Sequence, residues 1–401
     1  MNESIEQEMK NVIKIHIGTK SVTDSNTFLR KLWGVLDQQQ KNAWEFFPYT
    51  NTNKKIVEFG RNNIGAFSFD YIEKGCIDNL YISGYTIDKE KLIGLVKSAI
   101  SLDKSEEYYV ALHFTQIDTD SKIAYQCHNN VMIYSKEQDT IVCFKMRAFS
   151  DLDFKFWLYQ KTRAIQLVLF LYTKIRFKIL KTEYCSNGDF FETELSDYNY
   201  EWFDTDECPK NEANECCLPL DFFRIINSIS NSSFYDEFIS AVVNASHMLS
   251  NAYNMYLLCI SRSDLEMERT GIFDIVNTVI VSSLEAILSA KPSPSKRCTE
   301  CGQPVYSISK RVYELVNSYL GSDIADIVKK TTYNNRSKYL HEGKTVTPLY
   351  YFGSCFPLIN PKNPRSVMFA ETPVEYNLID YCMYIIRKYI CDYYKENSEM
   401  Q

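Results

Sequence analysis

The apolar positions of this chain change their period about halfway along. Between roughly Ile56 and Phe149 the runs are short, partly alternating and rich in β-branched and aromatic residues: GAFSFDYI (65–72), NLYISGYTI (79–87), YYVALHFTQI (108–117), SKIAYQCHNNVMIYS (121–135) and TIVCFKMRAF (140–149). Turn-prone pieces such as Lys74-Gly75 and 136–139 separate them. This predicts an antiparallel, β-rich module, interrupted by a helix over about 88–102. The apolar spacing of DFKFWLYQKTRAIQLVLFLYTK (153–174) predicts a long half-buried helix, and IRFKILKTEY (175–184) a strand. An acidic, aperiodic stretch follows over 186–214 and marks a domain boundary. From Leu218 onward nearly everything reads as helix. KPSPSKRCTECGQP (291–304) breaks the run, and a helix over 324–343 is expected to end at Gly343 as its C′ residue. A proline-bearing loop (345–366) then leads to a last helix over 375–394. The first fifty or so residues carry no clean period.

The expected fold class is therefore α+β, a β-rich front followed by an all-α bundle. The expected division is an unassigned segment 1–55, a β-rich regulatory or sensor domain 56–205, a linker 206–219, and a helical domain 220–401. There is no internal repeat and no low-complexity tract.

Composition narrows the classes. With 45% hydrophobic residues, 29 Tyr and 24 Phe against 13 Gly and 11 Pro, the chain has ample material for a core. A net charge of −7 argues against sequence-blind binding of nucleic acid over the whole surface. The 13 cysteines are odd in number, several stand singly among apolar residues, and the chain opens MNESIEQEMK without an apolar leader. A reducing cytoplasm is the expected setting. The longest apolar stretch, AIQLVLFLY (164–172), is too short to span a bilayer.

The segment NNRSKYLHEGK (334–344) carries the chemistry. Arg336 and His341 lie five positions apart, which on one helix splays them by roughly 140°. A distorted last turn, or a second copy of the helix across a two-fold axis, would aim both at one phosphate. Cutting RNA without a metal needs a base for the 2′-OH proton and an acid for the leaving 5′-oxygen, and histidine suits both near neutral pH. Arginine keeps its charge and steadies the phosphate. The charge is locally reversed: Lys329, Lys330, Arg336, Lys338 and Lys344 face Glu342 alone, a local +4. Taken by spacing alone, the same pair reads as a helix-terminal His beside a surface Arg.

In these residues the chain resembles the HEPN superfamily, and more narrowly its Apea-like branch. The resemblance rests on Arg336-Ser337 followed by His341, on the aromatic Tyr333 shortly before the Arg-Ser pair, and on His341-Glu342-Gly343, one residue longer than the branch's His-Gly. Upstream, SSLEAIL (282–288) is similar to the family's acidic helix, with Glu285 in the place of its Glu, and SKRVYELV (309–316) to the helix between, with Arg311 at a basic position. The resemblance covers roughly 220–395. It implies a homodimer, or a larger homo-oligomer, with a composite active site and a bacterial antiphage, abortive-infection role with a phage-derived trigger. It also implies an endoribonuclease cutting RNA, tRNA among its expected targets, to a cyclic phosphate with no cofactor in catalysis. Arg336 and His341 are the expected catalytic pair. Glu285 either organises Arg336 or pairs structurally. Asn335, Ser337, Lys338, Lys344 and Arg311 are the expected RNA contacts, with solvated side chains as the plainer reading. Some family members only bind RNA or nucleotides as regulatory modules. They usually lack the Arg–His pair, which stands intact here.

Cys298 and Cys301 in CTECG give half of a structural zinc site. The cluster Cys208, Cys216 and Cys217 is the best source of the rest, with Cys208 and Cys217 as the expected ligands. A redox pair or two free thiols in a surface loop is the alternative. Such a closed site would staple the linker to 296–303 and leave no open position for catalysis. His113 and His128 fall in predicted strands, where structural roles are expected. There is no Walker loop, GxSxG elbow or HExxH.

Overall fold

A computed structural model describes residues 12–39, 45–46, 56–73, 75–117, 119, 121–128, 130–185, 210–231, 236–261, 269–290, 308–343, 359–360, 363–367 and 375–398. The fold is α+β, with antiparallel sheets in the front half and helices behind. The chain forms two compact units, Met1–Tyr108 with Met146–Gln160, and Tyr109–Lys145 with Lys161–Gln401.

The first unit holds β1 (Ile13–His16), α1 (Val22–Gln39), β2 (Glu45–Phe46), β3 (Ile56–Arg61), β4 (Ala66–Glu73), β5 (Cys76–Ser83) and α2 (Lys89–Ser101). Its sheet runs β1-β5-β4-β3-β2, antiparallel throughout. Phe67, Phe69, Ile77, Leu80 and Ile82 face Phe28, Leu29, Leu32 and Leu36 of α1 and Leu92, Val96 and Ala99 of α2 in one core. Trp33 meets Phe67 and Phe69 edge-on. Asp88 caps α2 by accepting from the Lys91 amide at 3.0 Å. The helix expected at 88–102 is thus present. Residues 12–39, which show no clean period, form β1 and α1. The helical spacing of Phe28, Leu32 and Leu36 is masked by buried Ser25 and Gly34 on the same element.

The second unit holds most of β6 (Glu106–Gln116) and β9 (Asp139–Ala148), together with β7 (Gln126–His128), β8 (Val131–Lys136) and β10 (Phe177–Cys185), in the order β10-β6-β9-β8-β7. The β-rich front region therefore supplies one sheet to each unit. The helix α3 (Asp151–Thr173) buries Ile165, Val168, Leu169, Leu171 and Tyr172. Residues 210–219 are bonded to 122–126 beside this sheet rather than running free. The Cys216 amide donates to Lys122 O at 2.7 Å, Ala124 N donates to Cys216 O at 2.9 Å, and the Gln126 side chain exchanges two bonds with the Leu218 backbone.

The helical part comprises α4 (Leu220–Asn231), α5 (Glu237–Ser261), α6 (Arg269–Leu288), α7 (Ile308–Leu320), α8 (Ser322–Ile327), a π turn (Val328–Tyr333), α9 (Asn334–Glu342) and α10 (Glu375–Ser398). α6 lies along α5 and α10. Val276, Ile280, Leu284 and Ile287 of α6, Val242, Ala245 and Leu249 of α5, and Leu378, Cys382, Ile386 and Ile390 of α10 are buried. Lys174 pairs with Asp380, and Arg387 donates to Leu171 O at 3.1 Å. In the proline-bearing loop, 359–360 pairs with 363–367 as a small hairpin. No helix among the described residues is long and apolar enough to cross a membrane.

Candidate functional site

The single helix expected over 324–343 is three pieces, because Val328–Tyr333 winds as a π turn between α8 and α9. Such a turn uses i→i+5 bonds and carries one extra residue. Positions four apart then stay more nearly in line than 100° steps allow. Val328 and Thr332 are both buried on that line, and Arg336 continues it. Thr331 and Thr332, being β-branched, favour a regular helix little. π turns of this kind are frequent at functional sites.

Arg336 reaches α6. Its Nη2 donates to Glu285 Oε2 at 2.6 Å, with a longer contact of 3.5 Å to Ser282 Oγ. Ser282 and Glu285, three apart, share a face of α6. Tyr333, three before Arg336, donates its hydroxyl to Glu285 Oε1 at 3.0 Å. Its ring lies beneath the guanidinium, 5.4 Å from the Arg336 carbon to the ring centroid. Burial, then the Glu285 carboxylate, pushes the Tyr333 phenol up to about 12. The Arg336 side chain is 16% exposed and that of Glu285 20%. Arg336 Nε is buried with no hydrogen-bond partner among the described residues.

His341 stands exposed in the last turn of α9. Gly343 ends the helix in the left-handed region at φ +65°, its amide donating to Tyr339 O at 3.2 Å, which is the C′ role expected of it. α9 has no buried residue, and Leu340 is 50% exposed. No hydrogen bond joins Arg336 to His341 among the described residues, as their spacing on one helix requires.

The basic stripe is partly spent within the chain. Lys330 pairs with Asp326 at 2.6 Å, a bond that lowers the carboxyl's pKa and raises the amine's. Lys329 sits over the Tyr313 ring. Lys338 is exposed, and Lys344 lies outside the described residues. Asn335 and Ser337 are half-buried on α9. Arg311 donates to Leu288 O at 2.7 Å, so it caps the C-terminal end of the helix that carries Glu285.

Of the expected zinc ligands, Cys208, Cys298 and Cys301 lie outside the described residues. Cys217 is fully buried and its thiol donates to Glu215 O at 3.6 Å. Among the described residues no group of three or more His, Cys, Asp or Glu is placed to hold a metal ion. Elsewhere burial makes thiols poor nucleophiles, raising Cys143 to about 12 and Cys382 further. His113 lies between Asp139 (3.6 Å) and Glu183 (3.4 Å), and His128 meets Phe223 edge-on.

The structure thus joins Glu285 to Arg336 and adds two neighbours that the sequence reading did not assign to the site, Ser282 and the hydroxyl of Tyr333. The i,i+3 spacings of Ser282 to Glu285 and of Tyr333 to Arg336 were the available signal. Comparisons with protein-family models, with curated proteins and with solved structures found no match to this chain.

Proposed function

We propose that this chain is an endoribonuclease that cuts RNA without a metal, two copies meeting at α9 so that Arg336 and His341 of both surround one ribose-phosphate link. The observation that carries this reading is a guanidinium held by Glu285 on the same nine-residue helix whose last turn presents His341 to solvent. One imidazole takes the 2′-OH proton as that oxygen bonds to phosphorus. Arg336 steadies the negative charge that gathers on the phosphate oxygens. A second imidazole, already protonated, gives its proton to the departing 5′-oxygen, leaving a 2′,3′-cyclic phosphate and a 5′-hydroxyl. The unburied flank of α9, with Leu340 half exposed, supports a second copy as its neighbour.

The test is cleavage of total RNA and tRNA by the purified full chain, with and without EDTA. Activity should survive chelation and fall at least about a hundredfold in both Arg336→Ala and His341→Ala. Unchanged cleavage in His341→Ala rejects the mechanism. RNA binding without cleavage in the unmodified protein supports the regulatory-module reading, which the largely enclosed state of Arg336 favours. The defence role implied by the resemblance is tested by growth of a bacterial host, with and without phage, expressing the unmodified chain or His341→Ala.

A further inference from the structure

Arginine and a carboxylate pair most strongly as a fork, two parallel N–H···O bonds to the two oxygens. Arg336 and Glu285 are close enough for one, with Nη2 at 2.6 Å from Oε2. The fork does not form. Oε1 accepts from the Tyr333 hydroxyl instead, and Arg336 Nε is left buried without an acceptor among the described residues. The Tyr333 ring meanwhile fixes the plane of the guanidinium from below.

We propose that Tyr333 is a positioning residue for Arg336: its hydroxyl turns Oε1 of Glu285 toward itself and away from Nε, and so keeps the guanidinium under-satisfied and ready for a phosphate oxygen of RNA. This role rests on the ribonuclease reading of the same site. A buried donor without a partner raises the energy of the empty site. A phosphodiester that draws the guanidinium toward itself relieves that penalty, so binding gains what the free protein lacks. The phenol remains a donor throughout the neutral range, as any tyrosine does, and its ionisation is pushed higher still, up to about 12.

The plain alternative is a hydroxyl that merely braces the fold, and Tyr333→Phe separates the two. It keeps the ring and removes only the bond that orients Oε1. Glu285 then turns and forks Arg336. In arginine-labelled protein the Arg336 Nε–H resonance should move downfield, the sign of a new hydrogen bond. The thermal midpoint should hold or rise. Affinity for a 2′-O-methyl RNA dodecamer, which binds but offers no 2′-hydroxyl to attack, should fall about tenfold, the loss of one charge-assisted bond. An unmoved Nε–H resonance, a midpoint lowered by several degrees, or an unchanged affinity overturns the proposal. If the unmodified chain neither binds the dodecamer nor cuts RNA, the ribonuclease reading fails. The resonance and the midpoint then decide by themselves whether Tyr333 blocks the fork.

Discussion

Arg30 and Arg336 are each clasped by a carboxylate from another helix and each lies over an aromatic ring, yet the two clasps differ bond by bond. Arg30, on α1, forks Asp153 of α3: Nε to Oδ1 and Nη2 to Oδ2 are both 2.7 Å. Asp153 also accepts from the Phe149 amide at 3.0 Å, and the guanidinium is flanked by Phe149 and Trp157. Side-chain exposure is 12% for Arg30 and 3% for Asp153. Arg336 has one short bond, an idle Nε and a carboxylate shared with a phenol. The first pair is complete and has nothing left to offer. The second leaves a buried donor unused. A sequence shows an arginine in both places, and only the geometry of the carboxylate tells the two clasps apart.

The sharpest way to break this comparison is to remove both arginines in turn. Arg30→Ala strands a buried carboxylate and should cost about 3–5 kcal/mol of folding stability, read by urea denaturation. Arg336→Ala should cost less than half as much, since Glu285 keeps the Tyr333 bond, while abolishing cleavage. Equal losses of stability would erase the distinction. Next in size is Gly343→Ala. Among the described residues a Cβ there meets nothing within 4 Å, so its expected cost is that of the left-handed backbone at φ +65°, about 1 kcal/mol. The loss should fall on the turn bearing His341 and lower cleavage without disturbing Arg30. A midpoint that stays put would show that the cap contributes nothing.

The smallest effect concerns pH. Burial, the largest influence on it, raises the Asp221 carboxyl above its ordinary value. A carboxyl so raised holds its proton more tightly folded than unfolded. Its contribution is therefore full below the ordinary carboxylate range and is lost as pH climbs through the folded value. Asp221→Asn should flatten that slope in denaturation curves taken across the acid range. An unchanged slope would assign it to other groups.

Much of the fold was legible. The long helix expected at 153–174 is Asp151–Thr173, the strand expected at 175–184 is Phe177–Cys185, and Gly343 caps as its position suggests. These features are local, set by spacing and by one residue's backbone freedom. What escaped is non-local. Nothing in 210–219 announces that Cys216 bonds beside Ile123, and nothing in 56–148 tells which strands share a sheet. Glu285 could be set beside Arg336 in advance only through the resemblance of SSLEAIL (282–288) to the family's acidic helix, with structural pairing as the alternative. The part played by Tyr333 could not, because it depends on which carboxylate oxygen faces which donor.

The π turn has a consequence for how this chain tolerates change in length. A regular helix advances 100° per residue. The six-residue π turn holds one residue more than regular winding needs. Deleting one residue between 328 and 333 would therefore let the ladder close as an ordinary helix while everything beyond it kept nearly the same bearing, Arg336 toward Glu285 included. Deleting Asn334 or Asn335, where the winding is already regular, would instead turn Arg336 away by about 100°. A single missing codon is thus absorbed on one side of Tyr333 and ruinous on the other.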